Sequence, residues 1–147
     1  MRPIALVVCA GLAMIASPAA AQSWQRIASN DDTVGYVDGD SIRNQGNLRQ
    51  VRAFFVFSEP LDGRVLASTV QYEFDCGRSQ FRSIEYSYFD LEGRLIRTEP
   101  SETIDEFETA PQGSISEALI ESVCLGQAGE AVADPIRDAP SIFGSRQ

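Results

Sequence analysis

The clearest pattern along the chain is a strict alternation of apolar and polar residues that ends at a cysteine. Between Ser68 and Cys76, the apolar residues Val70, Tyr72 and Phe74 alternate with polar ones. Side chains two residues apart lie on the same face of a β-strand, so this period of two predicts a half-buried strand. Cys76 then belongs to the apolar face of that strand.

Further segments have strand character and are separated by turn residues such as Asn-Asp-Asp, Gln-Gly-Asn and Asp-Gly. Together with the strand that ends at Cys76, they predict an antiparallel sheet of five to six strands. The segments are 24–28, 33–37, 48–58, 80–89 and 95–99.

The segment 48–58 is apolar on both of its faces, which is typical of a central strand. Phe54 and Val56 lie on the face opposite Val51 and Ala53. A second interpretation is that Phe54 and Val56 face a partner subunit, because a large exposed apolar patch usually marks an interface. The pair is therefore a candidate interface, and a homodimer is a candidate assembly.

One amphipathic helix is predicted near the C-terminal end. Ser114 and Glu117 have the spacing of a capping box, in which each side chain accepts a hydrogen bond from a backbone N–H at the start of the helix. Ile115, Leu119 and Val123 follow at helical spacing, and a glycine at position 126 is placed to end the helix.

The first 21 residues have the pattern of a secretory signal peptide: a positive start, an apolar run and small residues up to Ala21. We expect cleavage after Ala21, a periplasmic or secreted protein, and no membrane insertion after cleavage. Cys9 suggests a lipoprotein as the alternative, although the residues before it lack the small side chains that lipoprotein processing needs.

Removal of this segment leaves Cys76 and Cys124 as the remaining cysteines, in a compartment where disulfides persist. We predict that they are bonded. The predicted fold class is therefore α+β: an antiparallel sheet with a C-terminal helix packed on one face and tied to it by the disulfide. Ligand binding is then expected on the opposite sheet face or at a sheet edge.

After position 125 the composition shifts to Gly, Ala, Asp and Pro, and we predict a flexible tail over 126–147. Ile136, Ile142 and Phe143 within this segment could instead dock on a partner. The predicted organisation is a signal peptide at 1–21, one domain at 22–125, and the tail.

Charge and composition narrow the function classes. The chain has 21 acidic residues against 12 basic ones, for a formal net charge of −9, so it lacks the positive footprint of a nucleic-acid-binding protein. It contains no histidine, which removes the usual zinc sites and the Ser-His-Asp and Cys-His catalytic systems. We expect no cofactor and no enzymatic activity.

Two segments and one group of tyrosines are candidates for binding chemistry. Asp38 to Ser41 could begin a calcium loop, but its spacing favours a turn in which Asp40 or Ser41 caps a short helical turn. Three tyrosines, at positions 72, 86 and 88, are expected to lie close together, either as sheet packing or as a platform on which a ligand stacks. The acidic run 99–108 favours a solvated loop, with a surface for a cation or a basic ligand as the alternative.

Taken together, the order of these pieces resembles the surface-adhesin protein E family of bacterial envelope proteins, over about residues 24–125. The resemblance is carried by Trp24, 36–38 with 41–42, 72–76, Pro111 with 113–114, 117–119 and 123–124. It implies an antiparallel sheet with a disulfide-tethered C-terminal helix. The family's namesake is a surface lipoprotein that binds host matrix proteins.

The leading functional prediction is a non-catalytic binding module of the periplasm or envelope whose partner is a protein or an envelope component. The alternative is a surface or secreted adhesin that contacts host or matrix proteins.

Overall fold

The computed structural model describes residues 22–145. Within them the chain forms nine strands, two α-helices and one 3-10 turn, Gly39–Ser41. The strands are β1 (Trp24–Ser29), β2 (Thr33–Asp38), β3 (Arg43–Gln45), β4 (Leu48–Leu61), β5 (Val65–Asp75), β6 (Gln80–Phe89), β7 (Leu95–Pro100), β8 (Glu108–Thr109) and β9 (Glu130–Val132). The helices are α1 (Ile115–Leu125) and α2 (Pro135–Gly144).

All nine strands belong to one antiparallel sheet. The order across the sheet is β7-β6-β5-β4-β2-β1-β9, with β3 added to β4 and β8 added to β6. The long strands β4 and β5 lie at the centre, as expected from the apolar residues on both faces of β4. The six long strands are those predicted from alternation, and the sheet gains β3, β8 and β9, which have only two or three residues each.

Helix α1 packs on one face of the sheet and confirms the predicted α+β fold. Its buried residues Leu119, Ile120 and Val123 join a core formed by β2, β4 and β5. The disulfide between Cys76 and Cys124 ties α1 to the end of β5, with the two Cα atoms 5.4 Å apart. The sheet residues of this core are Val37, Val51, Ala53, Val70, Tyr72 and Phe74.

Both ends of α1 are closed by the predicted residues. Ser114 Oγ accepts a hydrogen bond from the backbone N–H of Glu117 at 3.1 Å, and Glu117 Oε2 accepts one from the N–H of Gly113 at 2.6 Å. At the other end, Gly126 adopts a left-handed conformation (φ 71°), which glycine tolerates without steric cost. Arg49 of β4 donates hydrogen bonds to the last carbonyls of the helix.

The predicted flexible tail is wrong for most of its length. Residues 130–132 form β9, which pairs with β1, and Pro135–Gly144 forms α2 on the face opposite α1. The helix starts because Asp134 caps it, accepting hydrogen bonds from the N–H groups of Ile136 and Arg137, and because Pro135 suits the first helical position. Burial of α2 on the sheet outweighs the helix-breaking composition of the segment.

The same helix covers the candidate interface. Phe54 and Val56 are 7% and 2% exposed. They form a buried cluster with Trp24 and Tyr36, and α2 covers this cluster. The prediction that Phe54 and Val56 present an exposed patch is therefore wrong: the partner of this surface is the chain's own C-terminal segment.

The predicted signal peptide and Cys9 lie outside the described residues. Of the helices between residues 22 and 145, neither is long and apolar enough to cross a membrane.

Candidate binding surface at the β7 edge

Strand β7 forms one edge of the sheet. It pairs with β6 on its inner side, and no other strand among residues 22–145 pairs with its outer side. An edge strand of this kind leaves backbone N–H and C=O groups directed outward, where an extended peptide can pair with them. The chain leaves β7 at Pro100 and returns to β6 through β8, which pairs with Gln80 and Phe81 at the start of β6.

Two cross-strand pairs place aromatic and charged side chains together beside this edge. Tyr86 lies opposite Glu99, and Tyr88 lies opposite Arg97, in the register of β6 and β7. The two tyrosine rings stack with centroids 6.1 Å apart and an interplanar angle of 7°. The Arg97 guanidinium lies over the Tyr88 ring at 4.3 Å, and its Nε donates to Glu99 Oε2 at 3.1 Å.

These contacts set the charge state of the surface. The hydrogen bond from Arg97 is the main reason why the pKa of Glu99 falls below its usual value, and a hydrogen bond with Tyr88 acts in the same direction. Burial, followed by the bond to Glu99, raises the pKa of Tyr88. At neutral pH the surface therefore presents the carboxylate of Glu99 and the neutral phenol of Tyr88 beside the Arg97 side chain.

A groove of about 540 Å³ runs along these side chains. The loop after β7 forms its far wall and is fixed in place by Ser101, which is 6% exposed. Ser101 Oγ shares a hydrogen bond with Ser83 Oγ at 2.7 Å, and its backbone N–H donates to the carbonyl of Ile84 at 2.9 Å. The groove is lined by Tyr86, Tyr88, Glu99, Pro100, Ser101, Glu102 and Thr103.

The three tyrosines lie close together as predicted, but only two of them line the groove. Tyr86 and Tyr88 line the groove, whereas Tyr72 is 8% exposed and packs against Phe74 and Phe81 in the core. Because Tyr86 pairs with Val70 of the α1-side core, the groove lies on the same face as α1, beyond the part that the helix covers. The opposite face, expected to be free, is the face that α2 occupies.

The segment Asp38 to Ser41 is a capped turn. Its carboxylate at Asp38 accepts hydrogen bonds from the backbone N–H of Asp40 at 3.2 Å and from Arg52 Nη2 at 2.5 Å. Asp38 is thus the cap, where Asp40 or Ser41 was expected, since its side chain points back over the turn. Across residues 22–145, no group of three or more Asp, Glu, Cys and His side chains is arranged to hold a metal ion.

The acidic run contributes to the groove with two of its members, Glu99 and Glu102. The local sequence pattern does not mark Arg97 or Ser101 as residues of this surface. The hairpin turn at Gly93 (φ 74°) sets the register that places Arg97 opposite Tyr88, so a register count across this turn could have found the arginine. Nothing in the local sequence around Ser101 indicates its contact with Ser83.

This architecture defines a class of small α+β domains in which a disulfide-pinned helix covers part of an antiparallel sheet and a surface groove follows an open edge. Within that class, residues 24–125 match the model of the Surface-adhesin protein E family, and the chain belongs to this family. The match confirms the resemblance found in the sequence. Membership of this family implies a protein of the cell envelope or surface.

The match ends at Leu125, so β9 and α2 lie outside the part of the chain that the family model covers. The search of curated proteins and the search of solved structures each found no significant match.

Proposed function

We propose that this protein is a non-catalytic adhesin that contacts host or matrix proteins at the bacterial surface. Membership of the Surface-adhesin protein E family supports the adhesive role. The observation that carries the proposal is the tyrosine-lined groove beside the open β7 edge, since these two features together suit an extended protein segment.

The groove and the edge offer two complementary kinds of contact. A partner segment that pairs with β7 gains main-chain hydrogen bonds, which supply affinity for any extended sequence. Alternate side chains of that segment then lie beside Arg97 and Glu99 of β7, and long ones can reach the rings of Tyr86 and Tyr88 one strand further in. Arg97 and Glu99 at the rim select which charges can lie next to the rings.

The charge of the protein favours partners with basic surfaces. The formal net charge is −9, and Glu99 and Glu102 place two carboxylates in the groove. A field of one sign steers oppositely charged partners toward the surface and raises the association rate at low ionic strength. The association rate is therefore expected to fall as the salt concentration rises.

The non-catalytic part of the proposal rests on the side chains of the groove. The sequence lacks histidine, and in the groove Glu99 is already bound to Arg97 and Tyr88. A general base must be free to accept a proton from its substrate. These residues instead hold one another in a fixed arrangement suited to recognition.

The binding site can be tested with the chain that begins at Gln22 and immobilised extracellular-matrix proteins, with serum albumin as the negative surface. We expect saturable binding to at least one matrix protein. The double substitution Tyr86→Ala/Tyr88→Ala removes both rings and should weaken binding by about tenfold or more, as for aromatic anchors at other interfaces. Leu125→Ala is the matched control, because Leu125 is 73% exposed at the far end of α1.

Equal binding by the double variant and the control would place the contact elsewhere and contradict the assignment of the groove. Absence of binding to every matrix protein would contradict the adhesin proposal itself.

A second candidate is a binding module that acts within the periplasm. It is favoured by the predicted cleavage after Ala21, because the next residue is Gln22 and not the cysteine that lipid attachment needs. Protease treatment of intact cells separates the two candidates. Digestion of the protein on intact cells supports the adhesin, whereas digestion only after the outer membrane is opened supports the periplasmic module.

A further inference from the structure

The sheet face beneath α2 has the features of a helix-binding groove. Its floor is apolar and comes from four neighbouring strands, with the ring of Trp24 packed edge-on against Phe54 at 5.4 Å. Helix α2 fills this floor with Ala139, which is fully buried, and with Ile136 and Ile142 at its margins. The buried floor residues are Trp24, Val34, Tyr36, Phe54, Val56 and Ala67.

Arg26 and Tyr36 form a polar clamp within this apolar floor that binds the carboxylate of Asp138. Arg26 also binds Glu130 of β9. Arg26 Nη1 donates to both carboxylate oxygens of Asp138 at 2.7 Å, and the Tyr36 hydroxyl donates to Asp138 Oδ2 at 2.9 Å. Burial raises the pKa of Tyr36, so its hydroxyl keeps its proton and remains a donor. Charge-assisted hydrogen bonds in a largely buried setting make the floor selective for an acidic side chain between apolar ones.

Helix α2 lacks the covalent tie that holds α1 on the sheet. The covalent tie ends at Cys124, and the exposed linker 126–128 follows it. Beyond the linker, three residues of β9 pair with β1, and α2 has only ten residues, with Pro140 inside it. A helix this short is marginal in water on its own, so it forms only while it is docked.

A segment that packs on the domain without a covalent tie can open locally at a lower free energy than the whole domain. From these observations we infer that the floor beneath α2 is a second interaction surface, which takes up an amphipathic partner helix that presents a carboxylate between apolar residues when β9 and α2 open. Helix α2 is the occupant that the chain itself supplies. The affinity for an external helix is reduced by the fraction of time that α2 occupies the floor.

The test uses a labelled synthetic peptide with the sequence of residues 133–145 and the full chain from Gln22. The Asp138→Asn substitution leaves the floor residues unchanged but weakens the docking of α2 on them. The variant chain is compared with the unchanged chain. We expect saturable peptide binding to the variant chain, and binding to the unchanged chain that is weaker by about tenfold or more. The matched control is the same peptide with Asp138→Asn, which should bind the variant chain about tenfold less tightly because the clamp loses its carboxylate.

The single tryptophan provides a second readout, because Trp24 is 6% exposed in the floor. Its emission should shift to longer wavelength in the Asp138→Asn chain and return when the peptide binds. Failure of both peptides to bind, equal binding of both, or dimerisation of the variant chain without peptide uptake would each overturn the inference.

Hydrogen exchange on the unchanged chain keeps the inference testable if the variant folds poorly. Amides of β9 and α2 should exchange through a local opening, well before those of β4 and β5. Exchange of α2 only together with the central strands would mean that the floor never opens separately, and this result would also overturn the inference.

Discussion

At the scale of single residues, the approach of α1 to the sheet depends on the missing side chain at Gly35. A Cβ atom built on Gly35 would lie 2.7 Å from Cγ2 of Ile115, closer than real Cβ contacts allow. Gly35→Ala should therefore push α1 away from β2 and lower the free energy of unfolding by about 1–3 kcal/mol, the usual cost of overpacking a core. Urea denaturation measures this change.

Gly144→Ala is the control for that substitution. Its added Cβ meets nothing within 4 Å, so the stability should stay the same or rise slightly from the better helix propensity of alanine. An unchanged midpoint for Gly35→Ala would contradict the close packing of α1 on β2.

Glu73 is a second residue whose role can be tested, because it is a buried carboxylate at 6% exposure. Burial by itself raises the pKa of Glu73, but hydrogen bonds from Gln50 and Arg82 and the charge of Arg82 outweigh it, so the pKa lies below its ordinary value of 4.5. Gln50 Nε2 donates to Glu73 at 2.7 Å, and Arg82 donates from Nε at 2.7 Å and from Nη2 at 2.5 Å.

The pH dependence of stability follows from this lowered pKa. Between the pKa of Glu73 in the folded protein and its pKa of 4.5 in the unfolded chain, the unfolded chain binds more protons than the native one. The contribution of Glu73 to the free energy of unfolding is therefore complete above pH 4.5, and it is lost as the pH falls through the folded-state pKa. Glu73→Gln should lower the unfolding free energy at pH 7 by about 1.5–3 kcal/mol, and its difference from the unchanged chain should shrink toward pH 3.

Urea titrations at the two pH values measure both effects. Glu92→Gln is the control, since Glu92 pairs with Arg94 on the surface and both side chains are largely exposed. Its effect should stay below about 1 kcal/mol. A pH-independent difference for Glu73→Gln would contradict the lowered pKa.

At the scale of elements, the disulfide determines how firmly α1 stays on the sheet. Cys76 and Cys124 are separated by 48 residues, and closing a loop of this length removes entropy from the unfolded chain. The double substitution Cys76→Ser/Cys124→Ser should lower the unfolding free energy by about 4 kcal/mol in the chain-entropy model. Reduction of the unchanged protein should shift its denaturation midpoint in the same direction, and an unshifted midpoint would contradict the role of the disulfide.

The elements that the sequence predicts are those with a long periodic pattern. The six long strands alternate over enough residues to be recognised, and α1 carries a capping box, an apolar stripe and a terminal glycine. Strands β3, β8 and β9 have two or three residues each, too few for alternation to be visible. They form because a neighbouring strand has unpaired backbone groups at its edge. This depends on the tertiary fold, so the local sequence does not predict these strands.

Helix α2 shows why a local pattern can mislead. Its capping residue Asp134 and the following Pro135 are visible in the sequence, but Pro140 and the surrounding small residues favour a loop. The helix is held on the sheet because Asp138 accepts hydrogen bonds from Arg26 and Tyr36, which lie more than 100 residues away along the chain. Such a contact is not visible from sequence alone.

At the scale of the whole molecule, the two helices leave different parts of the sheet free. Helix α1 covers the centre of one face and α2 the centre of the other, and neither helix covers the β7 edge or the groove beside it. The sequence alone indicated a binding surface opposite α1 or at an edge. The position of α2 excludes most of the opposite face and explains why the tyrosine groove lies at the edge.

We propose above that a protein partner binds along β7. Hydrogen–deuterium exchange tests this binding most directly. It is measured on the chain that begins at Gln22, with and without a matrix protein to which this chain binds in the surface assay. We expect new protection of backbone amides in β7 and in the loop 101–103, with the amides of α2 and β9 unchanged. Protection confined to other strands, or none in β7 despite saturating partner, would contradict it.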